Sequence, residues 1–597
     1  MTRHQVRKVL QYTGPDAAYH RVILDDGPMV GWRAVEEAGS GAHVALDVGR
    51  RQLAKEVRTA RSDGRTVPSV IIVGGGMSGL AMAMQLVRSG VRDFTIVEQS
   101  DQVGGTWRDN TYPGSGCDVP SHLYSFSFAP KSDWSRRFAE QPEILTYVDG
   151  CVEHFHLGPH LRLGSTVHRA VLDETSGRWQ VEVSTAEGRD VLEADVVVFA
   201  CGQLNRPHLP DLEGVDRFAG PAWHSARWDH SEDLAGRRVA VVGSGASAIQ
   251  FVPVIAEAAA ELTIYQRTPN YVAPKKDRTY SSPTHWVMEH VRAAATAYRW
   301  WIYWSLELRW LCFRKDSRAG RWLTGLFAKG IRSGVVSDRL PEASVIPDYP
   351  IGCKRILISS DWYPTLERSN VHVVDQPIER IEADGIVTTD GRRRPADVLI
   401  FGTGFSTTEF LSHIDVTGTD GRSLAREWEQ GAHAYLGVSV PSFPNCFFLY
   451  GPNTNLGHNS ILFMVERQIN LILQAMTLQT RAAGSGGLPL VGVGDDAYRL
   501  DDERTQRLMT ATAWVAGCRS WYKDASGRVV NNWPTWTVRY WYETLRLRTN
   551  RWSVLRDDPH RDRAVATAAS GPLPAAVRPA VNGRPPAEER RPPLPTR

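Results

Sequence analysis

Cysteine is scarce in this chain, and its spacing is irregular. Seven cysteines are scattered over 597 residues, with no C-x-x-C pair among them. This spacing excludes the disulfide framework of small secreted domains and a zinc site built on paired cysteines. We therefore expect no bound metal and a reducing, cytoplasmic environment. The cysteines occupy positions 117, 151, 201, 312, 353, 446 and 518.

Long apolar runs and a surplus of one sign of charge are also lacking. The most apolar stretch, residues 300–313, is 14 residues long and contains Glu307 and Arg309, so it is too short and too charged to span a bilayer. No basic start followed by an apolar run opens the chain, so no signal peptide is expected. The net charge of +3 indicates no nucleic-acid partner and no stable membrane insertion. No protein partner is evident either.

Tryptophan, in contrast, is abundant. The chain has 20, of which eight lie between residues 286 and 322 or close to residues 218–229. Two interpretations stay open: ordinary aromatic content of a core, or a lipophilic substrate pocket. The hydrophobic share of 42% and the charged share of 23% are typical of globular proteins. A chain of this length is expected to form two or three domains.

A first strand–turn–helix–strand unit begins at residue 69. A buried strand over 69–73 leads into a glycine-rich turn, a helix over 80–87 and a second strand over 94–98 that ends in Glu98. Glycines at such a turn allow a tight bend, close approach of a diphosphate and contact between helix and strand. Glu98 can accept hydrogen bonds from a ribose diol, which predicts a site for FAD. The candidate residues of this turn are Gly74, Gly76, Ser78 and Gly79.

A second unit begins at Arg238 and differs at its ribose position. A strand over 239–242, a glycine-rich turn and a helix over 249–259 precede a strand that ends in the uncharged Gln266. Arg267 and Thr268 follow, and an arginine there pairs with a 2′-phosphate that an acid would repel. This predicts NADPH rather than NADH. The candidate residues of the second turn are Gly243, Gly245, Ala246, Ser247 and Ala248.

Between the two turns the chain reads F-x-G-x-x-x-H-x-x-x-W-D. The motif is formed by Phe218, Gly220, His224, Trp228 and Asp229. It resembles the motif of the type I Baeyer–Villiger monooxygenases, flavoenzymes that insert an oxygen atom beside a ketone. The resemblance implies that these residues link the two nucleotide domains, with His224 and Trp228 in a structural role coupled to domain motion.

A second motif of that family is matched by residues 104–118. Its pattern is [AG]-G-x-W-x(4)-[FY]-P-[GM]-x(3)-D, and all seven specified positions agree. The resemblance implies that Gly105, Thr106 and Trp107 lie along the flavin and that Asp118 reaches into the active site. Tyr124 is placed near the flavin on the same grounds.

Cationic and aromatic residues complete the resemblance. The pair Lys354–Arg355 resembles a basic pair of the family, which implies that Lys354 binds the 2′-phosphate and that Arg355 faces the flavin as the catalytic cation, its charge positioned by Asp118. Arginine suits this role because it stays protonated and presents a planar set of donors. Trp521 lies in a segment that resembles a loop over the nicotinamide. Residues 451–459 resemble another turn beside the flavin.

These motifs predict an α/β fold with two Rossmann-like dinucleotide-binding domains, for FAD and NADP, and a helical insertion. We expect an N-terminal extension at 1–66 that acts as a structural cap, and an FAD domain formed by 67–210 and 395–558. The NADP domain is expected at 211–394, with its insertion at 275–345. Residues 559–597 are rich in proline and arginine and predict a disordered tail.

The family resemblance implies an NADPH- and O₂-dependent monooxygenase that converts a ketone, bulky, aromatic or cyclic, to an ester or lactone through a C4a-peroxyflavin. A related monooxygenase that oxidises nitrogen or sulfur would share both turns, but Trp228–Asp229 and the Asp118/Arg355 pair favour the ketone. A flavin disulfide reductase would need a redox cysteine pair near the first turn, where Cys117 has no close neighbour in sequence. A non-catalytic sensor on the same fold would be expected to lose Asp118 or Arg355.

Overall fold

The computed structural model describes residues 47–555, apart from 316, 336–338, 485–486, 516 and 519. The first 46 residues of the predicted N-terminal extension and the predicted tail at 559–597 lie outside the described residues.

Two parallel five-stranded sheets organise the fold. Their central strands are short, β-branched and fully buried, as is typical of parallel sheets covered on both faces. The first sheet runs in the order Cys446–Phe448, Val196–Phe199, Val70–Val73, Phe94–Val97 and Leu161–Arg162. The second runs in the order Val371–Val374, Glu261–Tyr265, Arg238–Val242, Val398–Phe401 and Ala222–His224.

The two sheets share the order of four strands and differ in the fifth, which follows the others along the chain in the first sheet and precedes them in the second. In each, the strand before the glycine-rich turn lies at the centre, and the strand that follows the turn's helix is its neighbour on one side. This is the order of doubly wound nucleotide-binding folds. The expected α/β fold with two Rossmann-like sheets is confirmed.

Smaller sheets and the helices complete the described residues. A four-stranded sheet is formed by Asp415–Thr417, Thr166–Asp173, Arg178–Thr185 and Gly188–Ala194, and a three-stranded sheet by Ile378–Glu382, Gly385–Thr388 and Arg393–Pro395. Two strand pairs are Val272–Ala273 with Leu357–Ile358, and Leu490–Val493 with Trp552–Leu555. The α-helices are Val48–Ser62, Met77–Ser89, Thr106–Asp109, Gln141–His154, Ala248–Ile255, Ser282–His290, Arg292–Glu307, Arg318–Gly334, Glu342–Val345, Trp362–Leu366, Leu424–Glu427, Ile461–Ala482, Asp495–Met509 and Thr537–Leu545. The 3-10 turns are Gly158–His160, Val215–Arg217, Ser225–Arg227, Leu308–Phe313, Thr419–Gly421, Ala513–Val515 and Thr549–Arg551.

One predicted boundary is wrong. The second part of the FAD domain was expected to begin at residue 395, but the strand Val398–Phe401 pairs with Arg238–Val242 in the second sheet. A buried apolar strand that ends in glycine fits either sheet by sequence, and only its pairing decides between them. The chain therefore leaves the second sheet after residue 401.

The helix Ile461–Ala482 forms the centre of the packing around the first sheet. Among the described helices it alone is long and apolar enough to cross a membrane, yet 83% of its most apolar window is buried inside the protein. The helix Val48–Ser62 packs against it, and the Gly49 N–H donates to Asn470 Oδ1 at 2.8 Å. Such burial on all sides is typical of a core helix.

Candidate active site

The glycines of the first glycine-rich turn are needed for different reasons. Gly74 has a φ of +110°, and a Cβ there would lie 2.7 Å from the Ala200 carbonyl oxygen. A Cβ at Gly79 would lie 2.0 Å from the Gly74 carbonyl oxygen, so this glycine is needed for helix Met77–Ser89 to reach the strand. At Gly76 the nearest atom to a Cβ is the Gly105 Cα at 3.7 Å. Gly76 and Gly105 thus pack backbone against backbone on the cavity wall, beside a helix N-terminus of the kind that binds a diphosphate.

Glu98 is fixed at the end of the second strand. Its Oε2 accepts the Gly75 N–H at 2.7 Å, and its Oε1 accepts the Arg108 guanidinium at 3.0 Å. The carboxylate is buried but lines the cavity beside the turn. Arg108 was not identified from the sequence, because an arginine ten residues further on carries no spacing signal. The carboxylate is therefore held in place where a ribose would meet it.

A cavity of about 370 Å³ joins the two glycine-rich turns. Its wall contains thirteen of the predicted site residues, from five separate stretches of chain. They are Gly74, Gly76, Ser78, Glu98, Gly105, Thr106, Trp107, Asp118, Tyr124, Ala246, Ser247, Arg355 and Trp521. The predicted residues that do not line it are Gly79, Gly243, Gly245, Ala248, Arg267, Thr268 and Lys354. Within the described residues no cluster of His, Cys, Asp and Glu could hold a metal ion.

Arg355 and Asp118 form an ion pair on the cavity wall. The Arg355 guanidinium donates to Asp118 Oδ2 across 237 residues of sequence, and both side chains are half-buried. The Asp118 carboxylate raises the pKa of Arg355 above its ordinary value, although burial opposes this. Arg355 therefore carries a fixed positive charge at any pH at which the protein folds.

An aromatic pair lies beside this cation. The Trp107 indole N–H donates to the Tyr124 hydroxyl at 3.1 Å, and the two rings meet edge to face at 5.6 Å. Burial raises the pKa of Tyr124, so the phenol stays protonated. The pair supplies a rigid apolar surface with a single polar group, as ligand cavities commonly do.

The second glycine-rich turn repeats the first with one difference. Gly243 has a φ of +105°, and a Cβ there would lie 2.4 Å from the Gly402 carbonyl oxygen. At Gly245 the nearest atom to a Cβ lies at 3.8 Å, which leaves open space above the turn. Ala248 opens the helix Ala248–Ile255 and packs against Gly402. The turn thus presents free backbone at Gly245, as a diphosphate requires.

Two cations lie together beyond this turn. The Lys354 Nζ donates to Thr268 Oγ1 at 2.5 Å. Burial, and then the nearby Arg267 guanidinium, lowers the pKa of Lys354. No ion pair within the described residues involves either Lys354 or Arg267. Gln266 is turned inwards and donates to the Ser344 carbonyl at 2.5 Å. Asp348 is near enough to favour the charged form of Lys354 but forms no ion pair with it, so the two cations remain available to a phosphate.

The interdomain motif lies along the edge of the second sheet. His224 ends the strand Ala222–His224, and its Nδ1 accepts the Ala226 N–H at 3.1 Å. Its ring meets Phe405, which lines the cavity, edge to face at 5.7 Å. Burial lowers the pKa of His224, so the ring is neutral. This placement fits a link between sheet and cavity better than proton transfer.

The other motif residues make contacts that stabilise the fold. Trp228 packs on Phe251 at 5.3 Å, and Asp229 Oδ1 accepts the Ser231 N–H at 2.9 Å. A Cβ at Gly220 would lie 2.3 Å from the Asp397 carbonyl oxygen. Phe218 packs beside the second sheet. Close packing therefore accounts for Phe218, Gly220 and Trp228, and a local turn for Asp229.

Comparison with known proteins identifies the family. A family model described as flavin-binding monooxygenase-like matches residues 68–295. A Baeyer–Villiger monooxygenase of Streptomyces coelicolor is 41% identical over 502 residues, covering 84% of this chain and 95% of the relative. One of Pseudomonas aeruginosa is 41% identical over 473 residues, covering 79% and 88%. The chain belongs to the Baeyer–Villiger monooxygenases.

Solved structures agree with this assignment. An oxidised steroid monooxygenase bound to NADP aligns with a TM-score of 0.72 at 29% identity, covering 82% of this chain and all of that one. A cyclohexanone monooxygenase from Rhodococcus sp. Phi1 bound to NADP⁺ aligns with a TM-score of 0.73 at 25% identity, covering 82% and 99%. The family resemblance expected from the sequence is confirmed, and the chain is a flavin-dependent monooxygenase.

In this Baeyer–Villiger monooxygenase the Tyr-Pro-Gly part of the second motif joins the two sheets. The Tyr112 hydroxyl donates to Gln250 Oε1 at 2.8 Å, and Gln250 Nε2 donates to the Gly116 carbonyl at 2.9 Å. Gly114 has a φ of +79°, and a Cβ there would lie 2.6 Å from the Gln250 carbonyl oxygen. The motif therefore docks on the helix Ala248–Ile255. Sequence reasoning missed this contact because a local pattern does not indicate its distant partner.

A disulfide contradicts the expectation from cysteine spacing. Cys353, next to the basic pair, is bonded to Cys518 across 165 residues. The other five cysteines are free. Cysteines so far apart in sequence carry no pairing signal, so this bond could not be predicted from their spacing. In this monooxygenase the bond joins the Lys354–Arg355 segment to the segment that carries Trp521.

Trp521, predicted to lie over the nicotinamide, is on the cavity wall. Its carbonyl oxygen accepts the Thr407 hydroxyl and the Asn531 amide, each at 2.8 Å. Its ring lies 4.4 Å from that of Tyr522. The backbone is thus anchored, while the half-buried indole faces the cavity.

Proposed function

We propose that this monooxygenase converts a ketone to an ester or lactone with NADPH and O₂. The observation that carries the proposal is the Asp118–Arg355 ion pair, which lies on a cavity shared by both dinucleotide turns. A bulky or cyclic ketone is supported by the likeness to a steroid monooxygenase and a cyclohexanone monooxygenase.

The residues present fit FAD at the first turn. The cavity beside Gly76 and Gly105 would take the diphosphate, and Glu98 would accept the ribose hydroxyls. Trp107, Tyr124 and Asp118 line the same cavity further along. When bound, FAD supplies a hydride acceptor and a centre that activates oxygen.

The second turn fits NADPH. Gly245 leaves room for its diphosphate, and Arg267, Thr268 and Lys354 would bind the 2′-phosphate. Trp521 would cover the nicotinamide. Because Lys354 and Arg355 are adjacent, binding of the phosphate at one residue would fix the backbone of the other.

Arg355 is the proposed catalytic cation. Its permanent charge would stabilise negative charge that develops on the substrate oxygen, a contribution that is typically about 3–4 kcal/mol for one preorganised donor. Asp118 is the positioning residue that holds the guanidinium against the cavity. Trp107 and Tyr124 would exclude water, which strengthens this interaction.

The test separates the two half-reactions. Arg355→Ala is expected to retain FAD and to be reduced by NADPH, while ester formation falls about 10²–10³-fold and hydrogen peroxide is released instead. Rapid-mixing absorbance follows the flavin, and mass spectrometry under labelled oxygen follows the ester. Arg206→Ala, which removes an exposed ion pair with Glu409, is the control and should behave as the parent. Ester formed by Arg355→Ala at the parent rate would refute the assignment.

A substrate panel tests the reaction class. The description of the family model, flavin-binding monooxygenase-like, does not specify a ketone, so amines and sulfides are included beside ketones. Incorporation of labelled oxygen into amines or sulfides, but not into ketones, would show an N- or S-oxygenating enzyme. Flavin reduction without any oxygenated product would favour a non-catalytic role.

Domain limits and location form part of the same proposal. An FAD domain at 67–210 and from about 402 to 558, with an NADP domain between them, agrees with the strand pairing of both sheets. A cytoplasmic location is supported by the five free cysteines.

A further inference from the structure

The tryptophans of the helical insertion do not line the cavity. Four of them are largely exposed: Trp286 at 57%, Trp301 at 56%, Trp304 at 48% and Trp322 at 67%. Within the described residues, every tryptophan that is more than 36% exposed lies in this insertion. Neither a core nor a substrate pocket explains them.

The exposed side chains form a stripe along one helix. Trp301, Trp304, Leu308 and Leu311 are spaced by three, four and three residues on Arg292–Glu307 and the 3-10 turn that follows, and each is at least 39% exposed. This spacing puts them on one face. The opposite face, with Ile302, Tyr303 and Leu306, is buried against Leu123. The helix is thus apolar towards the core and towards solvent.

The next helix has an exposed apolar face of its own. On Arg318–Gly334, Trp322 and Leu326 lie one turn apart and are 67% and 46% exposed. Leu323 and Phe327 pack inwards. The 3-10 turn Leu308–Phe313 contacts both helices, so the two exposed faces belong to one insertion. We call these six side chains the tryptophan surface: Trp301, Trp304, Leu308, Leu311, Trp322 and Leu326.

Positive charge surrounds the tryptophan surface. Residues 291–335 contain nine basic and two acidic residues, although the whole chain has a net charge of only +3. Of the two acids, Glu307 is fully buried and accepts the Thr537 N–H at 2.6 Å. The exposed basic side chains are Arg292, Arg309, Arg314, Lys315, Arg318, Arg321, Lys329 and Arg332, the last paired with Glu342.

We propose that the tryptophan surface binds the face of an anionic phospholipid bilayer. Indole rings favour the headgroup region, and exposed Lys and Arg are attracted to anionic headgroups. A helix with an apolar face and a basic flank lies in the interface plane without spanning the bilayer. A second copy of this chain is disfavoured, because a two-fold interface would bring two positive surfaces together.

Vesicle binding by the full-length, FAD-loaded protein tests the proposal. Co-sedimentation is measured with phosphatidylcholine vesicles and with vesicles that contain about 30% phosphatidylglycerol. Binding is expected with the anionic vesicles only and should fall steeply as salt is raised, since counterions screen surface charge. Brominated phosphatidylcholine in the anionic vesicles should quench the tryptophan fluorescence of the bound protein.

Variants assign the binding to this surface. Trp304→Ser with Trp322→Ser is expected to weaken partitioning at least tenfold, and Lys315→Glu with Lys329→Glu to abolish it at physiological salt. Tyr542→Ser is the matched control, because Tyr542 is 65% exposed but lies outside the insertion, and it should bind as the parent does. Flavin content and melting temperature of every variant should equal those of the parent.

Two results would overturn the proposal. One is absence of binding to anionic vesicles, or binding that neither pair of substitutions reduces. The other is self-association in sedimentation velocity that Trp304→Ser with Trp322→Ser removes, without any vesicle binding, which would make the surface an interface between copies.

Discussion

At the scale of single residues, Gly76 and Gly79 are required for different reasons. A Cβ at Gly79 would overlap the Gly74 carbonyl at 2.0 Å, whereas a Cβ at Gly76 would meet nothing closer than 3.7 Å. We predict that Gly79→Ala lowers the melting temperature of the flavin-free protein, because the helix must move away from the strand. Gly76→Ala should leave that temperature within a degree of the parent yet reduce the flavin bound per protein at least tenfold.

Flavin absorbance relative to protein, and melting of protein stripped of FAD, measure the two effects. Gly64→Ala, at a position where no atom lies within 4 Å of a Cβ but φ is +67°, controls for strain alone. Full flavin content in Gly76→Ala would show that the diphosphate does not bind against Gly76.

Arg267 should determine the choice of nicotinamide cofactor. It lies close enough to Lys354 to lower the pKa of that amine, and a 2′-phosphate would relieve the repulsion. We predict that Arg267→Ala reduces the NADPH-over-NADH ratio of anaerobic flavin reduction about tenfold, equivalent to about 1.4 kcal/mol. Arg237→Ala, an exposed arginine of the same domain, should keep the parent ratio. An unchanged ratio in Arg267→Ala would place the phosphate elsewhere.

The site residues that could be predicted from the sequence are those that lie close together along the chain. Gly74, Gly76 and Glu98 belong to one strand–turn–helix–strand unit, so their relative positions follow from secondary structure. Arg108, which fixes Glu98, and Gln250, which joins the second helix to Tyr112, could not be found in this way. Their partners are set by tertiary packing, for which one sequence holds no spacing signal.

At the scale of elements, the disulfide connects two segments of the active site. Cys353 precedes Lys354 and Arg355, and Cys518 precedes Trp521. We predict that Cys518→Ser raises the KM for NADPH several-fold, because the Trp521 segment loses its covalent tether, while flavin content is unchanged. Steady-state kinetics with and without dithiothreitol provides the measurement.

The double variant Cys353→Ser with Cys518→Ser is the control for this effect. It should show the same KM in both conditions, whereas the parent should approach that KM only when reduced. The prediction would be contradicted if dithiothreitol left the KM of the parent for NADPH unchanged although mass spectrometry showed that the disulfide was broken.

Helices and strands were predicted correctly where the sequence pattern fits only one type of secondary structure. The strands on either side of both glycine-rich turns lie where the alternation of apolar strand and turn indicated. The insertion was also expected to be helical, and Arg292–Glu307 and Arg318–Gly334 are helices. The exposure of its tryptophans was not predicted, because an apolar helical stripe usually faces a core. Here each of the two helices has a second apolar stripe on its other side.

At the scale of the whole molecule, one architecture serves two cofactors. Both sheets share the order of four strands, and both glycine-rich turns open on the same cavity, through Gly74 and Gly76 on one side and Ala246 and Ser247 on the other. The Tyr112–Gln250 contact and the His224–Phe405 contact join the two halves. The reacting groups of two nucleotides can therefore meet where Asp118 and Arg355 lie.

The two ends of the chain are expected to differ in their contribution to stability. Helix Val48–Ser62 lies on Ile461–Ala482, and its Leu53 and Val57 are 0% and 1% exposed. Leu53→Ala should lower the free energy of unfolding by about 2–5 kcal/mol, since the cavity it leaves is enclosed by the central helix. It should therefore lower the temperature at which flavin fluorescence is released on heating.

Removal of residues 563–597 should leave that temperature unchanged, because their proline- and arginine-rich sequence offers little apolar surface to pack. Arg58→Ala, on the exposed side of the same helix, should also match the parent. If deletion of 563–597 lowered the release temperature as far as Leu53→Ala, the tail would have to pack on the enzyme, and its composition would have misled us. If Leu53→Ala had no effect, the helix Val48–Ser62 would be dispensable, and the core around Ile461–Ala482 would be stable without its cover.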